Sequence, residues 1–292
     1  MNQEKITGSY KDLVKIPKKL IQELPTSFDT VGDIILIKIN DEIIEYKKEI
    51  AEALLKNHKN IKTICLINPV DGELRTRKLE IIGGKKRTVT VHKEFGLKFF
   101  IDLDKMYFSS RLANERKRIA GLVKKDEIIV DMFTGVAPFS IMIAKYAEPK
   151  IIFAFDKNPE AIKYAKENIK KNNVLDKVEI IYIDANKSPI ILKQQNVRAD
   201  RIIMNLPFSA FNFFPIALEI MADMCIIHYF DILSENEFDI KINNLKNIAD
   251  KFDVVIEKTK VRKIKSYSPR EFYIGIDITA KRKTCADVAQ PG

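Results

Sequence analysis

The 292-residue chain carries fifty Lys and Arg against forty Asp and Glu, a formal charge of +10, with 46% hydrophobic and 31% charged residues. No apolar run approaches the ~20 residues a membrane helix needs, and the charged start MNQEKITGSYKDLVKIPKK lacks the apolar stretch of a secretion signal, so a cytoplasmic protein with no membrane partner is expected. The basic excess favours a polyanionic partner, nucleic acid first, although a Lys-rich surface alone gives the same balance. The scattered cysteines and histidines form no Cys-x-x-Cys pair, so neither a disulfide framework nor a metal site is expected.

Residues 1–30 are polar and mixed, with Pro17 and Pro25 as punctuation, and read as an N-terminal extension. Residues 31–105 are strand-rich: VGDIILIKI, IKTICLI, RTVTVHK and KFFIDL are β-branched or alternating runs, with DEIIEYKKEIAEALLKNH in helical spacing among them. The pattern is that of a small α+β domain. From 106 to 282 it changes. A helix over 107–124 is followed by apolar runs of strand length alternating with helical patterns, among them EIIVDMF, PFSIMIAKYA, KIIFAFD and PEAIKYAKENIKKN. Strands apolar on both faces and separated by helices predict an α/β fold, a parallel sheet covered by helices. FDVVIEKTKVRKI and REFYIGIDITA then predict an antiparallel pair at one edge, and residues 283–292 a loose tail.

Chemistry in open sheets gathers at the carboxyl ends of the strands. VDMFTGVAPFS (130–140) leads from the first strand of the α/β region into a helix. Gly135 there permits close approach of a ligand or a positive φ, and Asp131 is placed to accept from a ligand ammonium. The loop lacks the further glycines of a dinucleotide fingerprint and any Gly-Lys-Ser/Thr, which argues against NAD and ATP. Asp156 ends the next strand, positioned for both hydroxyls of a ribose, and Asp184 ends the third, positioned for an adenine amino group. Any one of these acids alone reads equally well as a helix cap. Together with one glycine loop they form the pattern of a sheet that binds S-adenosylmethionine. The fourth strand ends in Asn205-Leu206-Pro207-Phe208, similar to the Asn/Asp-Pro-Pro-aromatic loop of amino-directed methyltransferases, where Pro207 restricts Leu206 to extended geometry.

Five stretches, DMFTGVAPFS, RIIMNLP, MYFSSRLANERKRIA (106–120), GELRTRKLEIIGGKKRTVTVHKEFG (72–96) and KSYSPREFYIGIDI (265–278), occur in an order that resembles the archaeal tRNA guanine-37 N-1-methyltransferase family. The resemblance implies a Rossmann-like class I methyltransferase domain after a small RNA-positioning domain, with S-adenosylmethionine as cofactor and the anticodon stem-loop of tRNA as partner. By motif it implies Glu115 as general base, Arg75 beside guanine O-6, and Asn205 with Pro207 holding the base edge. It also implies Tyr107, Arg111 and Phe133 lining the cofactor and the entry to the base pocket. From spacing alone, Glu115 and Arg111 read as an i,i+4 ion pair on one helix face. Of Phe208, Phe211 and Phe214, which are candidates to stack on the base, at least two read as core.

Two departures from the family pattern are Ala137, where a second glycine is usual, and Ser110, where proline is frequent. The rival readings are a wyosine-pathway aminocarboxypropyl transferase and a non-catalytic tRNA-binding protein. A further expectation is that the enzyme, a monomer, also methylates C-7 of the tricyclic wyosine precursor, converting 4-demethylwyosine to isowyosine.

Overall fold

The computed structural model describes residues 8–71 and 76–283. It divides into two compact units at Arg111 and Leu112.

The first unit is built on a four-stranded sheet of β1 (Asp29–Val31), β2 (Ile34–Ile37), β3 (Thr63–Asp71) and β4 (Thr76–Gly84), ordered β1-β2-β3-β4. Gly32, at φ +58°, makes the tight β1–β2 turn, and its missing side chain leaves room for Thr90 Oγ1, which would lie 2.1 Å from a Cβ. Strands β2 and β3 are parallel and therefore need a crossover, supplied by α1 (Lys47–Asn57), whose Ile50, Ala51 and Leu54 are buried. A separate hairpin pairs β5 (Val89–Glu94) with β6 (Leu97–Asp102). The segment expected as an extension is instead part of this unit. Tyr10, Val14 and Leu24 are buried in its core with Ile35, Ile50 and Ile64, and the Tyr10 hydroxyl donates to Pro25 O at 2.5 Å. Apolar residues carried on short 3-10 turns give no long periodic signal, which is why polarity dominates the local reading.

In the second unit, α2 (Ala113–Ala120) precedes a seven-stranded sheet. Its strands and helices run β7 (Ile128–Asp131), α3 (Pro138–Tyr146), β8 (Ile151–Asp156), α4 (Pro159–Lys171), β9 (Val178–Tyr182), α5 (Ser188–Gln194), β10 (Ala199–Met204), α6 (Phe214–Ile220), β11 (Met221–Ser234), α7 (Phe238–Asp250), β12 (Val254–Ser266) and β13 (Glu271–Arg282). The sheet order is β12-β13-β11-β10-β7-β8-β9, parallel from β11 to β9, with β13 antiparallel to both β11 and β12. After β7 the chain winds outward through β8 and β9 and returns to the other side of β7 as β10. The crevice for a ligand therefore opens at the ends of β7 and β10. Ile129, Val130, Phe153, Phe155, Ile202, Ile203 and Met204 in the central strands are buried, as strands covered on both faces require. No helix among the described residues is long and apolar enough to cross a membrane.

The helix expected over 107–124 is shorter. Ser110–Leu112 is a 3-10 turn and regular helix begins at Ala113, so Tyr107 and Arg111 lie outside it and belong to the first unit.

Candidate active site

The loop between β7 and α3 is held from three sides. Thr134 N donates to Phe155 O at 2.8 Å, Gly135 N donates to Asp156 Oδ2 at 2.7 Å, and Asn168 of α4 donates to Val136 O at 3.2 Å. Gly135 sits at φ +55°, and a Cβ built on it meets no atom within 4 Å. Its left-handed backbone favours glycine, and open space lies above the loop. Ala137 also takes the left-handed conformation, at φ +65°, as the N-cap of α3, so the methyl group is accommodated at roughly 1–2 kcal/mol of strain.

Asp131 is 1% exposed. Its Oδ2 accepts from Ser140 Oγ at 2.7 Å and Thr134 Oγ1 at 3.0 Å, whereas Oδ1 is buried without a hydrogen-bond partner. Burial pushes the Asp131 carboxyl up to about 6, against the two hydroxyl donors and with Asp156 adding repulsion. A buried carboxylate oxygen lacking a donor at the end of β7 fits a ligand ammonium. Burial also raises Asp156, whose Oδ1 accepts from Asn158 N at 2.9 Å. Each Asp156 oxygen retains a further lone pair for a hydroxyl. Asp184 caps the turn after β9, accepting from Asn186 N at 2.9 Å through Oδ1. The capping and ligand roles of these acids are thus compatible, because each oxygen can accept more than once.

Asn205 follows β10, which runs in register with β7 so that Ile203 pairs with Asp131. The amide is oriented by Tyr273 of β13, whose hydroxyl donates to Asn205 Oδ1, leaving the NH₂ group for a second partner. Beyond buried Pro207, Phe208 takes φ +71°, an uncommon conformation for a bulky residue, and is 56% exposed. Asp231 secures it, accepting from Phe208 N at 3.1 Å, from the Tyr229 hydroxyl at 2.8 Å and pairing with Lys241 at 3.0 Å. The Phe208 ring meets exposed Tyr267 edge-on at 5.7 Å. Phe214 is fully buried and Phe211 packs against the core, so Phe208 alone of the three is open to a base. Phe133 of the loop between β7 and α3 contacts Phe213 edge-on at 5.0 Å.

Glu115 is buried on α2, and both its oxygens accept from Arg118, at 2.6 and 2.8 Å. Arg111 instead pairs with Asp29 inside the first unit. The i,i+4 pair expected from spacing is absent because regular helix starts two residues after Arg111. Tyr107 also belongs to the first unit, and Arg75 lies outside the described residues. The residues missed from sequence are Arg118, Asp277, His228 and Tyr273. Asp277 and His228 did carry a signal, as single polar residues inside the two-sided apolar runs YIGIDITA and CIIHYF.

A family model described as the TRM5/TYW2 methyltransferase domain matches residues 90–257, and one described as the TYW2 N-terminal domain matches residues 11–88. The chain is similar to tRNA (guanine(37)-N(1))-methyltransferase Trm5b of Pyrococcus abyssi, 41% identical over 92% of this chain and 79% of the relative. The crystal structure of Trm5b from that organism has a TM-score of 0.82 at 39% identity, covering 94% of this chain and 81% of its own. The tRNA(Phe) (4-demethylwyosine(37)-C(7)) aminocarboxypropyltransferase of Pyrococcus horikoshii is 34% identical over 90% of this chain and 92% of the relative. A solved complex of aTrm5 and tRNALeu matches at a TM-score of 0.75 and 37% identity, covering 91% of this chain and 75% of that one.

Proposed function

Because this chain belongs to the TRM5/TYW2 methyltransferase family, we propose that it transfers the methyl group of S-adenosylmethionine to N-1 of guanine 37 in tRNA. The observation that carries the reading is the pairing of Asp131, with its unpartnered buried oxygen, and Asn205 at the ends of neighbouring parallel strands. That neighbourhood supports reading Asp131 as a cofactor anchor and Asn205 as an acceptor-holding amide of one crevice.

The residues present fit the cofactor. Asp131 would take the ammonium, Asp156 the ribose and Asp184 the adenine edge, with the Gly135 loop leaving space for the ligand. When bound, the sulfonium supplies an electrophilic methyl group. Guanine N-1 holds a proton and is a poor nucleophile until that proton leaves, so Glu115 removes it as N-1 forms its new bond to carbon. The departing proton leaves negative charge on O-6, which Arg75 stabilises with paired donors. The Asn205 amide, held by Tyr273, presents its NH₂ group to the base edge. To reach the crevice the guanine leaves the anticodon-loop stack, and exposed Phe208 is suited to stacking on an unstacked base. The basic run Lys260–Lys265 supplies phosphate contacts. In this reading the enzyme is a cytoplasmic monomer acting on the anticodon stem-loop, and it also methylates C-7 of 4-demethylwyosine.

A second reading, aminocarboxypropyl transfer from the same cofactor, is favoured by the similarity to the P. horikoshii protein. Tritiated methyl transfer to a transcript with guanine 37, its adenine 37 variant and a Glu115→Gln enzyme tests the first reading. Labelling of the guanine transcript alone, lost in the variant, is expected. Equal labelling of both transcripts overturns the guanine assignment, and undiminished activity of the variant removes Glu115 as base. Mass spectrometry of the modified nucleoside distinguishes methyl from aminocarboxypropyl, and tRNA bearing 4-demethylwyosine that gains no methyl removes the second substrate.

A further inference from the structure

Buried Glu115 ends a chain of polar and charged groups contributed by α2 and four strands, in which His228 and Arg201 are buried and Arg118, Asp277 and Arg262 are partly buried. Arg118 donates to both Glu115 oxygens and, through Nη1 and Nη2, to Asp277 Oδ2 and Oδ1 at 2.9 Å each. Asp277 stands on β13 directly opposite His228 on β11, with His228 Nδ1 at 2.7 Å from its Oδ1 and Arg262 Nη2 of β12 at 2.9 Å from its Oδ2. His228 Nε2 lies 2.8 Å from Arg201 Nη1 of β10. Arginine only donates, so Nε2 accepts, the ring proton sits on Nδ1, and His228 is a neutral donor to Asp277. Arg201 is fixed in turn by two bonds to Glu127, at 2.7 and 2.9 Å, and one to Leu122 O at 2.9 Å. Against burial, the bonds from His228 and Arg118 hold the Asp277 carboxyl well below the usual carboxylate range. His228 is pushed down by its burial, in keeping with a neutral ring.

A network of this kind is an expensive way to join a helix to a sheet, since well-packed apolar residues commonly do as well or better. Its geometry has a use at the end where Glu115 lies. Glu115 faces Arg118 on its own helix and, on the strands beneath, Gly275 and Asp277 of one β13 face, with Arg262 and His228 beyond. A guanidinium belonging to Glu115 alone would fix the carboxylate but weaken it as a proton acceptor. Shared with a second acid, the same guanidinium fixes the carboxylate while much of its charge is answered elsewhere.

We infer that Asp277 is a positioning residue for the reaction, acting through Arg118 to orient the Glu115 carboxylate and to keep it able to accept the N-1 proton. The inference rests on Glu115 being the base. In the step it serves, the N-1–H bond breaks with the proton passing to a Glu115 oxygen, the released pair on N-1 forms the bond to the methyl carbon, and the methyl–sulfur bond breaks with its electron pair returning to sulfur, which leaves as a neutral thioether.

The test is the pH dependence of single-turnover methyl transfer to a guanine 37 transcript in Asp277→Asn and Arg118→Gln enzymes, beside Glu115→Gln. Asp277→Asn keeps the shape and the acceptor for His228 but leaves Arg118 and Arg262 facing Glu115 alone. The carboxylate form is then held more strongly, and the acid limb of the profile moves to lower pH by about one unit, with a rate loss on its plateau of about tenfold. Arg118→Gln removes the cation and moves the acid limb the opposite way. A role confined to folding lowers the active fraction without displacing either limb. Cofactor affinity and melting temperature identify folded enzyme. If Asp277→Asn does not fold, the upward displacement in Arg118→Gln carries the test. Limbs that coincide with wild type, or move together, while Glu115→Gln is inactive overturn the inference alone. A fully active Glu115→Gln overturns it together with the reading beneath it.

Discussion

Asp131→Asn is expected to stabilise the cofactor-free protein while weakening its hold on S-adenosylmethionine. In the folded protein the Asp131 carboxyl stands at about 6 rather than its ordinary 3.8, chiefly through burial. A folded value above the unfolded one means that the contribution to stability is fully present below pH ~4 and is lost as pH rises through about 6. The interval is worth about 3 kcal/mol. Asparagine removes that charge and keeps an acceptor for Ser140 and Thr134, but it turns an NH₂ group toward the position of the unpartnered Oδ1, which costs about 1–3 kcal/mol. The net gain near neutral pH is then about 1 kcal/mol, a rise in Tm of about 2–4 °C for a unit of this size. Below pH ~5 the gain disappears, because wild-type Asp131 is itself neutral there. The ammonium of the cofactor pairs only with the carboxylate, so the variant binds about 100-fold more weakly, close to the 3 kcal/mol expected for breaking a buried charge pair. Scanning calorimetry of cofactor-free protein at two pH values and titration calorimetry with the cofactor measure both effects. A variant less stable than wild type by the same margin at both pH values, or one with unchanged affinity, refutes the assignment of Asp131 as the ammonium anchor.

Gly135→Ala is expected to lose about 1–2 kcal/mol, since the left-handed backbone is kept, and to lower cofactor affinity by putting a methyl group into the space above the loop. A melting curve and a binding isotherm together check it. Tyr273→Phe, which frees the Asn205 amide to turn, slows single-turnover methyl transfer about fivefold at unchanged cofactor affinity. A rate equal to wild type speaks against a role for the amide orientation. Phe208→Gly removes roughly 1–2 kcal/mol of left-handed strain as it removes the contact with Tyr267, so stability stays near wild type. Lost base stacking lowers tRNA affinity by about 1–3 kcal/mol, and a filter-binding assay at fixed salt reads the difference.

What can be read along the chain is what local periodicity carries. The alternation of apolar strand runs with helical patterns after residue 106 places Asp131, Asp156 and Asn205 at strand ends, because a strand's end and the loop after it are local events. The edge pair β12 and β13 is legible for the same reason, and so is the glycine loop. Residues 10–24 read as polar because their three buried side chains, Tyr10 on one 3-10 turn and Val14 and Leu24 at the ends of two, leave no periodic trace.

The environment of Glu115 is not local. Its immediate partner, Arg118, is three residues away, and the choice of Arg118 over Arg111 depends on where a helix begins. The group behind Arg118 is Asp277, 159 residues further along the chain. Only the sheet order, with β13 inserted between β11 and β12, brings Asp277 against His228 and Arg262. The strained Phe208 is likewise decided by tertiary structure, through Asp231 on the adjacent strand. A strand end can be recognised from its own residues, whereas the state of a buried charge depends on every group that replaces its water, and those groups converge only when the sheet closes around them.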